Sequence, residues 1–192
     1  MRVSRAQAEA NRETVINVAS RLFRQHGFDG IGLKDLMKGA GLTQGGFYKQ
    51  FQSKDDLAAQ ASRRALESAT RRWSAAAARH PDPLMAVVDF YLSSDHRGEI
   101  ADGCPLVALG ADAARQSDEV KKPFEDGIKA HLQVLREMLP AGARPEQEAM
   151  ALLSLMVGAV TLSRVVADKK LSDGFLESAR AHVSEMVSSP KD

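Results

Sequence analysis

The amino-acid sequence predicts an all-α protein of about nine helices, with a short three-helix unit at the N-terminus and a longer helical region after it. Two observations support this fold class. Apolar residues recur every three or four positions along most of the 192 residues, and no run alternates polar and β-branched residues as a strand does. Glycine and proline separate the periodic segments.

The first helix is predicted from the apolar stripe that begins after Thr14. Val15, Val18, Leu22 and Phe23 follow the spacing of one helical face. Gly27 comes directly after the last periodic residues, where a glycine commonly ends a helix.

A second and a third short helix follow, over 33–40 and 44–50. Gly32 precedes the second helix, and Gly41 suits a left-handed position in the turn between the two. Thr43 is a suitable N-cap for the third helix. Short helix, four-residue turn and short helix is the spacing of a helix-turn-helix, whose second helix enters the major groove of DNA.

Ser53 and Asp56 have the spacing of a capping box, which predicts a long helix from residue 54 to about 78. Pro81 and Pro83 end it. Further helices are predicted at 83–94, 105–115, 118–139, 145–168 and 172–188. Pro123 lies inside the third of these five segments, so we expect a bend or a later helix start there.

Charge is divided unevenly along the chain. The total is +1, but residues 1–80 hold 14 Lys and Arg against 7 Asp and Glu, while residues 81–192 hold 12 against 18. A basic first part and an acidic remainder indicate one region that meets a polyanion and another that does not. The near-neutral total therefore does not exclude nucleic acid as a partner.

Residues 14–60 resemble the N-terminal domain of TetR/AcrR-type transcriptional regulators. The matching segments are ASRLF (19–23), GF (27–28), AGLT (40–43), GGFY (45–48), Phe51 and SKDDL (53–57). The match covers about a quarter of the chain. It implies a DNA-binding domain over 1–56 and a helical effector-binding and dimerisation domain over 57–192.

This resemblance, together with the composition of the third helix, predicts a DNA-facing set. Two glycines in so short a helix cost stability, whereas they suit close approach to another surface. The candidate DNA-binding residues are Lys34, Thr43, Gln44, Gly45, Gly46, Tyr48, Lys49 and Lys54. The sequence departs from the family pattern at Gly32 and at Lys49-Gln50, which bears on the bases that are recognised.

The resemblance further implies a homodimer whose last two helices pair with their copies, and a cavity for a small, mainly apolar effector. The candidate ligand-binding residues are Trp73, Phe90, Tyr91, Cys104, Leu109, Phe124, His131 and Met156, with Leu106 and Leu135 from the same segments. Residues of these types, taken singly, belong more often to a core than to a ligand site.

Cys104 is the sole cysteine, so an intramolecular disulfide is excluded. It precedes a predicted helix, where a helix N-terminus can lower the pKa of a thiol. Some members of the family sense electrophiles or oxidants through a cysteine near this region. The alternatives at this stage are a redox or electrophile switch and an inert buried thiol, since no Lys or His is adjacent in sequence.

The predicted function is therefore a DNA-binding transcriptional regulator, a repressor released from a palindromic operator by a small molecule or by modification of Cys104. An alternative is a coactivator of the same fold that binds a protein partner rather than DNA. A second is a carrier or enzyme built on a helical bundle.

An enzyme is not predicted, because the sequence has no G-x-S-x-G elbow, P-loop or H-E-x-x-H motif. Its five histidines lack metal-ligand spacing, so we expect neither a metal nor a cofactor. Residues 1–14 do not resemble a signal peptide, and the apolar stretch 149–163 is shorter than a membrane span of about 18 residues. A cytoplasmic protein without a membrane partner is expected.

Overall fold

The computed structural model describes residues 4–78, 80–139 and 144–188, and this part of the chain is helical without strands. The elements are α1 (Arg5–His26), α2 (Leu33–Gly39), the 3₁₀ helix η1 (Gln44–Lys49), α3 (Lys54–Ala77), α4 (Pro83–Tyr91), α5 (Ser94–Gly98), α6 (Pro105–Ala113), α7 (Asp118–Met138), α8 (Pro145–Val165) and α9 (Lys169–Ser188). The predicted all-α fold class is confirmed.

Helix α1 begins at Arg5, ten residues before Val15, the first residue of the apolar stripe that predicted it. The hydroxyl of Ser4 accepts a hydrogen bond from the backbone N–H of Gln7, which caps the helix at this early position. The first two turns are exposed and polar. The spacing of apolar residues therefore could not predict where this helix begins, whereas Ser4 as a capping residue could have predicted it.

Several helix boundaries in the second half also differ from the prediction. Helix α4 ends at Tyr91, and the short α5 follows with Ser93 as its N-cap. Helix α7 begins at Asp118 and continues through Pro123, so the expected later start was wrong. Helix α9 begins at Lys169 rather than at 172, because the carboxylate of Asp168 accepts from the N–H of Leu171 and caps its first turn.

Two hydrophobic clusters hold the helices together. The first is centred on α1, α2, η1 and the start of α3, and it also includes Leu109, Val120 and Phe124 from α6 and α7. The second joins α3, α4, α7, α8 and α9 around Trp73 and Met156. Because the first cluster contains residues well beyond position 57, the N-terminal helices pack directly on α6 and α7.

Helix α7 lies closest to α3 at Gly127. A Cβ atom at this position would come within 2.8 Å of the Leu66 side chain, so only glycine fits at this approach. The pairing of α3 with α7 is the most extensive between any two helices in the described part of the chain.

Helix α8 has 21 residues and is long and apolar enough to cross a membrane by those two criteria, which corrects the shorter stretch expected from sequence. The core helix of a soluble protein meets the same criteria. Here α8 packs against α6, α7 and α9, and it buries Leu152, Met156 and Val160 in the second cluster.

Candidate nucleic-acid interface and effector cavity

The turn between α2 and η1 is closed by local backbone hydrogen bonds. The N–H of Gly41 donates to the carbonyl of Lys38, and the N–H of Leu42 donates to that of Met37, both at 2.9 Å. Gly41 has φ of 71°, the left-handed conformation predicted for it. This turn sets the angle between the two helices of the motif.

Helix η1 is 3₁₀ rather than the expected α-helix. The N–H of Gly46 donates to the carbonyl of Thr43 at 3.0 Å, three residues back, in a segment where two adjacent glycines disfavour a regular α-helical turn. Thr43 stands at the N-cap position, but its side chain makes no capping hydrogen bond, so that part of the prediction was wrong.

Two buried aromatic rings fix η1 on the core. Phe47 is fully buried and Phe51 nearly so, and their rings stack with centroids 5.4 Å apart. Between them in sequence, Tyr48 is 72% exposed and meets the Phe47 ring edge-on. One side of η1 is thus anchored, and the other presents an aromatic hydroxyl to the outside.

The structure brings the predicted DNA-facing residues to the outer surface of the motif. Most of the set is exposed, while Gly46 and Lys54 are half-buried. A Cβ added at Gly45 would meet no atom within 4 Å, so the fold itself does not require glycine there. Lys34, Lys49 and Lys54 place three cations on this surface. We call the surface the η1 face, and it consists of these three lysines with Thr43, Gln44, Gly45, Gly46 and Tyr48.

The start of α3 has the capping arrangement that the sequence predicted. Ser53 Oγ accepts from the N–H of Asp56 at 2.9 Å, and the Asp56 carboxylate accepts from the N–H of Gln52. Asp55 also lies in this first turn and accepts from the hydroxyl of Ser117 at 2.7 Å. Because two carboxylates occupy the helix N-terminus, an attraction for phosphate here rests on the ammonium of Lys54.

A cavity of about 710 Å³ opens between α6, α7 and α8. Its wall is mostly apolar, with Lys121, Glu125 and Ser154 as its polar side chains. The remaining lining residues are Leu106, Gly110, Ala113, Ala114, Phe124, Ile128, Leu132, Met150, Leu153, Val157 and Gly158. A cavity of this size and character suits a small, mainly apolar molecule.

One wall of this cavity continues into the N-terminal helices. The Phe124 ring lines the cavity and meets Phe28 edge-on, with centroids 6.3 Å apart. Phe28 in turn contacts Phe23 of α1 at 5.2 Å. A molecule in the cavity would therefore touch a side chain that packs against the end of α1.

Cys104 is buried at the N-cap position of α6. Burial raises the pKa of its thiol, and this effect outweighs the opposing influence of Tyr91, the first amides of α6 and Arg164. The net shift is opposite to the lowering that the helix N-terminus alone suggested. A histidine is nearby after all, because His96 Nε2 accepts from the N–H of Cys104 at 3.1 Å.

Comparisons with known proteins point in one direction. The model of the family described as "Bacterial regulatory proteins, tetR family" matches residues 15–61, the part that holds the helix-turn-helix. The comparisons support a DNA-binding transcriptional regulator of the TetR family. The relatives are transcriptional regulators rather than enzymes.

One curated relative matches over most of the chain, and another matches only part of it. The transcriptional repressor NemR of Escherichia coli K12 is 26% identical over 93% of this chain and 94% of that protein. The regulator AcrR of Shigella flexneri is 38% identical over 29% of this chain and 26% of that protein. The crystal structure of E. coli NemR in its reduced form has a TM-score of 0.80 at 24% identity, covering 95% of this chain and 100% of that chain.

The predicted ligand residues fall into two groups. Phe124 lines the cavity together with Leu106. The others lie in or beside the core: Trp73, Tyr91, Leu109, His131 and Met156 are at most 2% exposed, Cys104 is 3% exposed, and Phe90 is half-buried. Leu135 is fully buried as well. A ligand role for this second group stays a prediction.

Trp73 is the centre of the buried aromatic group. Its ring meets Tyr91 and His131 edge-on, at 5.4 and 4.4 Å. Burial lowers the pKa of His131 and raises that of Tyr91 well above its usual value. His131 Nδ1–H donates to the carbonyl of Gly127, 2.7 Å away, so the group is part of the α3–α7 packing.

Sequence reasoning missed the residues of α8 that line the cavity, and it missed Lys121 and Glu125 at its edge. These residues are exposed or half-buried, apart from the buried Leu153, and only the crossing of α6, α7 and α8 brings them together. Within the described ranges no group of three His, Cys, Asp or Glu side chains is placed to hold a metal ion.

Proposed function

We propose that this TetR-family chain is a homodimeric repressor that leaves a palindromic operator when a small apolar molecule occupies the cavity between α6, α7 and α8. The exposed Tyr48 beside the buried Phe47 is the observation that carries the DNA-binding part. It presents a hydrogen-bonding group on the outer side of a helix that the core holds in place. The relative NemR is named a transcriptional repressor, which supports repression rather than activation for this chain.

The dimer is supported by an uncharged stripe on α8. Ala151, Leu162 and Val165 are exposed, with Leu162 at 47% and Val165 at 76%. Ser154, Gly158 and Thr161 continue the stripe between them at helical spacing. On α9, Leu171 is half exposed. Apolar side chains on two adjacent helices favour pairing with a second copy in a four-helix bundle.

A dimer of this kind places two η1 helices on successive major grooves, about 34 Å apart. An effector acts by binding the two arrangements of the dimer with different affinity. Met150, Ser154 and Gly158 border the cavity. Because Ser154 and Gly158 also belong to the α8 stripe, pairing of α8 with its copy would cover part of the opening.

Size measurement tests the dimer. Light scattering at micromolar concentration is expected to give twice the mass of 20.8 kDa. The Val165→Glu variant places a charge on the stripe and is expected to give monomers, whereas Lys170→Glu on the exposed start of α9 is a control. A wild-type monomer that binds a palindromic site would contradict the proposal.

DNA binding is tested by selecting bound fragments from random DNA and measuring affinity at several salt concentrations. A specific regulator is expected to select a palindrome and to lose affinity steeply as salt rises. Selection of no sequence, together with capture of a protein partner that protects the η1 face, would favour the coactivator. Ligand binding or turnover without DNA affinity would favour a carrier or enzyme.

Modification of Cys104 is the second proposed trigger. Burial of the thiol and its raised pKa make it a slow nucleophile, but its backbone N–H is bonded to His96, so an adduct would disturb that segment. Treatment with N-ethylmaleimide is expected to release DNA from wild type and not from Cys104→Ser. Equal loss of DNA by both proteins would exclude modification of Cys104 as a trigger, and binding of a small molecule in the cavity would remain as the proposed trigger.

The expected location is the cytoplasm, where a DNA-binding regulator meets its operator. The relatives are bacterial transcriptional regulators, which supports this placement. Cell fractionation is expected to recover the chain in the cytoplasmic fraction, and recovery with the membrane fraction would contradict it.

A further inference from the structure

The segment from α5 to the start of α6, residues 94–104, is held by arginines of three other helices, α1, α3 and α8, and by its own Arg97, which bonds α9. We call it the arginine-bound segment. Arg24 of α1 is 8% exposed and donates from Nη1 to the carbonyl of Gly103 at 3.0 Å. Its Nε donates to the carbonyl of Ser20 within α1. The guanidinium thus connects the end of α1 to the residue that precedes Cys104.

A second arginine reaches the same stretch from α3. Arg72 Nη1 donates to the carbonyl of Asp102 at 2.6 Å, and Nη2 pairs with the carboxylate of Glu99 at 2.6 Å. Arg21 of α1 also pairs with the Asp102 carboxylate, but both side chains are exposed and such a pair contributes little. The N-terminal helices therefore hold residues 99–103 mainly through Arg24 and Arg72.

The opposite side of the arginine-bound segment is held by α8 and α9. Arg164 of α8 donates to the carbonyls of Arg97, His96 and Glu99 at 2.8, 3.0 and 3.2 Å. Arg97 in turn donates to Ser172 Oγ and to the Asp173 carboxylate of α9, both at 2.7 Å. These are the two helices whose exposed stripe supports the dimer.

Inside the segment there is little space for independent movement. A Cβ at Gly103 would overlap the carbonyl oxygen of Glu99, 2.0 Å away. His96 Nδ1 lies 2.6 Å from the carbonyl of Tyr91 and its Nε2 accepts from the N–H of Cys104. The Tyr91 carbonyl oxygen requires a donor at Nδ1, and the Cys104 N–H requires an acceptor at Nε2. The imidazole is therefore neutral with its proton on Nδ1.

We propose that the arginine-bound segment is a rigid link between the dimer helices α8 and α9 and helix α1 of the N-terminal unit that carries the η1 face, with Arg24 as its positioning residue. A buried guanidinium that loses its acceptor leaves an unpaired charge, so α1 and Gly103 move together. This inference rests on the proposed function, since it needs a DNA-bound and a released arrangement. Coupling between two such sites is reciprocal.

The reciprocity gives a test that uses Cys104 only as a reporter, because it is the sole cysteine. The rate of labelling by N-ethylmaleimide is measured with and without a DNA fragment selected from random sequence. In wild type, bound DNA fixes α1 and, through Arg24, the burial of Cys104. Labelling is expected to slow by about 5-fold or more, the lower end of typical coupling.

Two variants separate the link from general stability. Arg24→Met keeps most of the buried volume and removes the bond to Gly103, so it is expected to bind DNA and to lose the protection of Cys104. Arg64→Met is the matched control, because Arg64 of α3 bonds Asn17 and Glu13 of α1 without touching the segment. It is expected to keep the protection.

The outcomes distinguish the two proposals. Absence of any DNA binding by wild type would overturn the proposed function. Binding of DNA without a change in the labelling rate of wild type, or equal loss of protection in both variants, would overturn the link. Hydrogen exchange of wild type needs no variant: DNA is expected to protect the amides of 99–104 as well as α1, and protection confined to residues before 60 would contradict the link.

Discussion

The η1 face and the arginine-bound segment are two functional regions held in place by different means. The turn before η1 is closed by backbone bonds between residues three to five positions apart, and η1 is anchored by Phe47 and Phe51 four positions apart. The segment is held mainly by side chains 27 to 79 residues away in sequence. The first region is a local unit, whereas the second joins distant helices.

This difference has a consequence for function. A substitution in the η1 face is expected to change DNA binding alone, because its contacts end within the motif. A substitution in the arginine-bound segment is expected to change how α1 responds to events at α8 and α9. The predictions below separate local from long-range effects.

The largest effect is expected for Phe47→Ala. The ring is fully buried beneath η1, and removing such a side chain costs about 3–5 kcal/mol, so both the free energy of unfolding and DNA binding fall. Tyr48→Ala is the matched control, because an exposed substitution stays within about 0.5 kcal/mol. Urea unfolding and a mobility-shift titration of both variants check this, and a loss of stability in Tyr48→Ala would contradict the local account.

Gly127→Ala tests a contact between distant residues. The new Cβ would press on Leu66 of α3, and such overpacking costs about 1–3 kcal/mol. Gly110→Ala in α6 has open space around it, and a glycine-to-alanine change in a helix interior stabilises by about 0.5–1 kcal/mol. Opposite signs in thermal unfolding are expected. Stabilisation by both changes would show that the contact between α3 and α7 at Gly127 has room for a methyl group, which would contradict the close packing described above.

The stability of the arginine-bound segment is expected to depend on pH through His96. Burial lowers the pKa of this imidazole, against a smaller opposing effect of the Tyr91 carbonyl. The unfolded chain therefore binds a proton at about pH 6.5 while the folded chain does not. Stability is fully present above that pH and falls as the pH drops toward the lowered pKa, by at most about 1.4 kcal/mol per pH unit for this group.

Urea unfolding between pH 7.5 and 5 measures this effect. His96→Gln keeps an acceptor for the Cys104 N–H and does not titrate, so its stability is expected to fall less steeply than that of wild type. Some slope remains, since burial also lowers the pKa of His131. His26→Gln on the exposed end of α1 is the control and is expected to keep the wild-type dependence of stability on pH. An unchanged dependence in His96→Gln would show that His96 does not cause it.

Sequence could predict the features whose cause lies within a few residues. The left-handed Gly41, the cap at Ser53 and the apolar stripe of α1 each depend on neighbours in the chain, and the structure confirms them. The 3₁₀ form of η1 and the missing cap of Thr43 show the limit of such signals. Residue types that suit a cap or a helix do not determine which hydrogen bonds form.

Features made by distant residues could not be predicted in this way. Arg24 follows Phe23 in an amphipathic helix and resembles any charged residue at a helix end, yet its partner is the carbonyl of Gly103. The lining of the cavity likewise depends on the crossing of three helices. Trp73 and His131 are large residues in the right segments, but the core encloses them.

The salt dependence of DNA binding by Lys49→Ala tests the central claim most directly, that the η1 face binds DNA. On a fragment selected by wild type, removing one phosphate-contacting lysine is expected to reduce the slope of log affinity against log salt by about 1. Lys122→Ala on α7, an exposed lysine paired with Asp126, is expected to leave the slope unchanged. Equal slopes for wild type and Lys49→Ala, or no selected DNA at all, would contradict the claim.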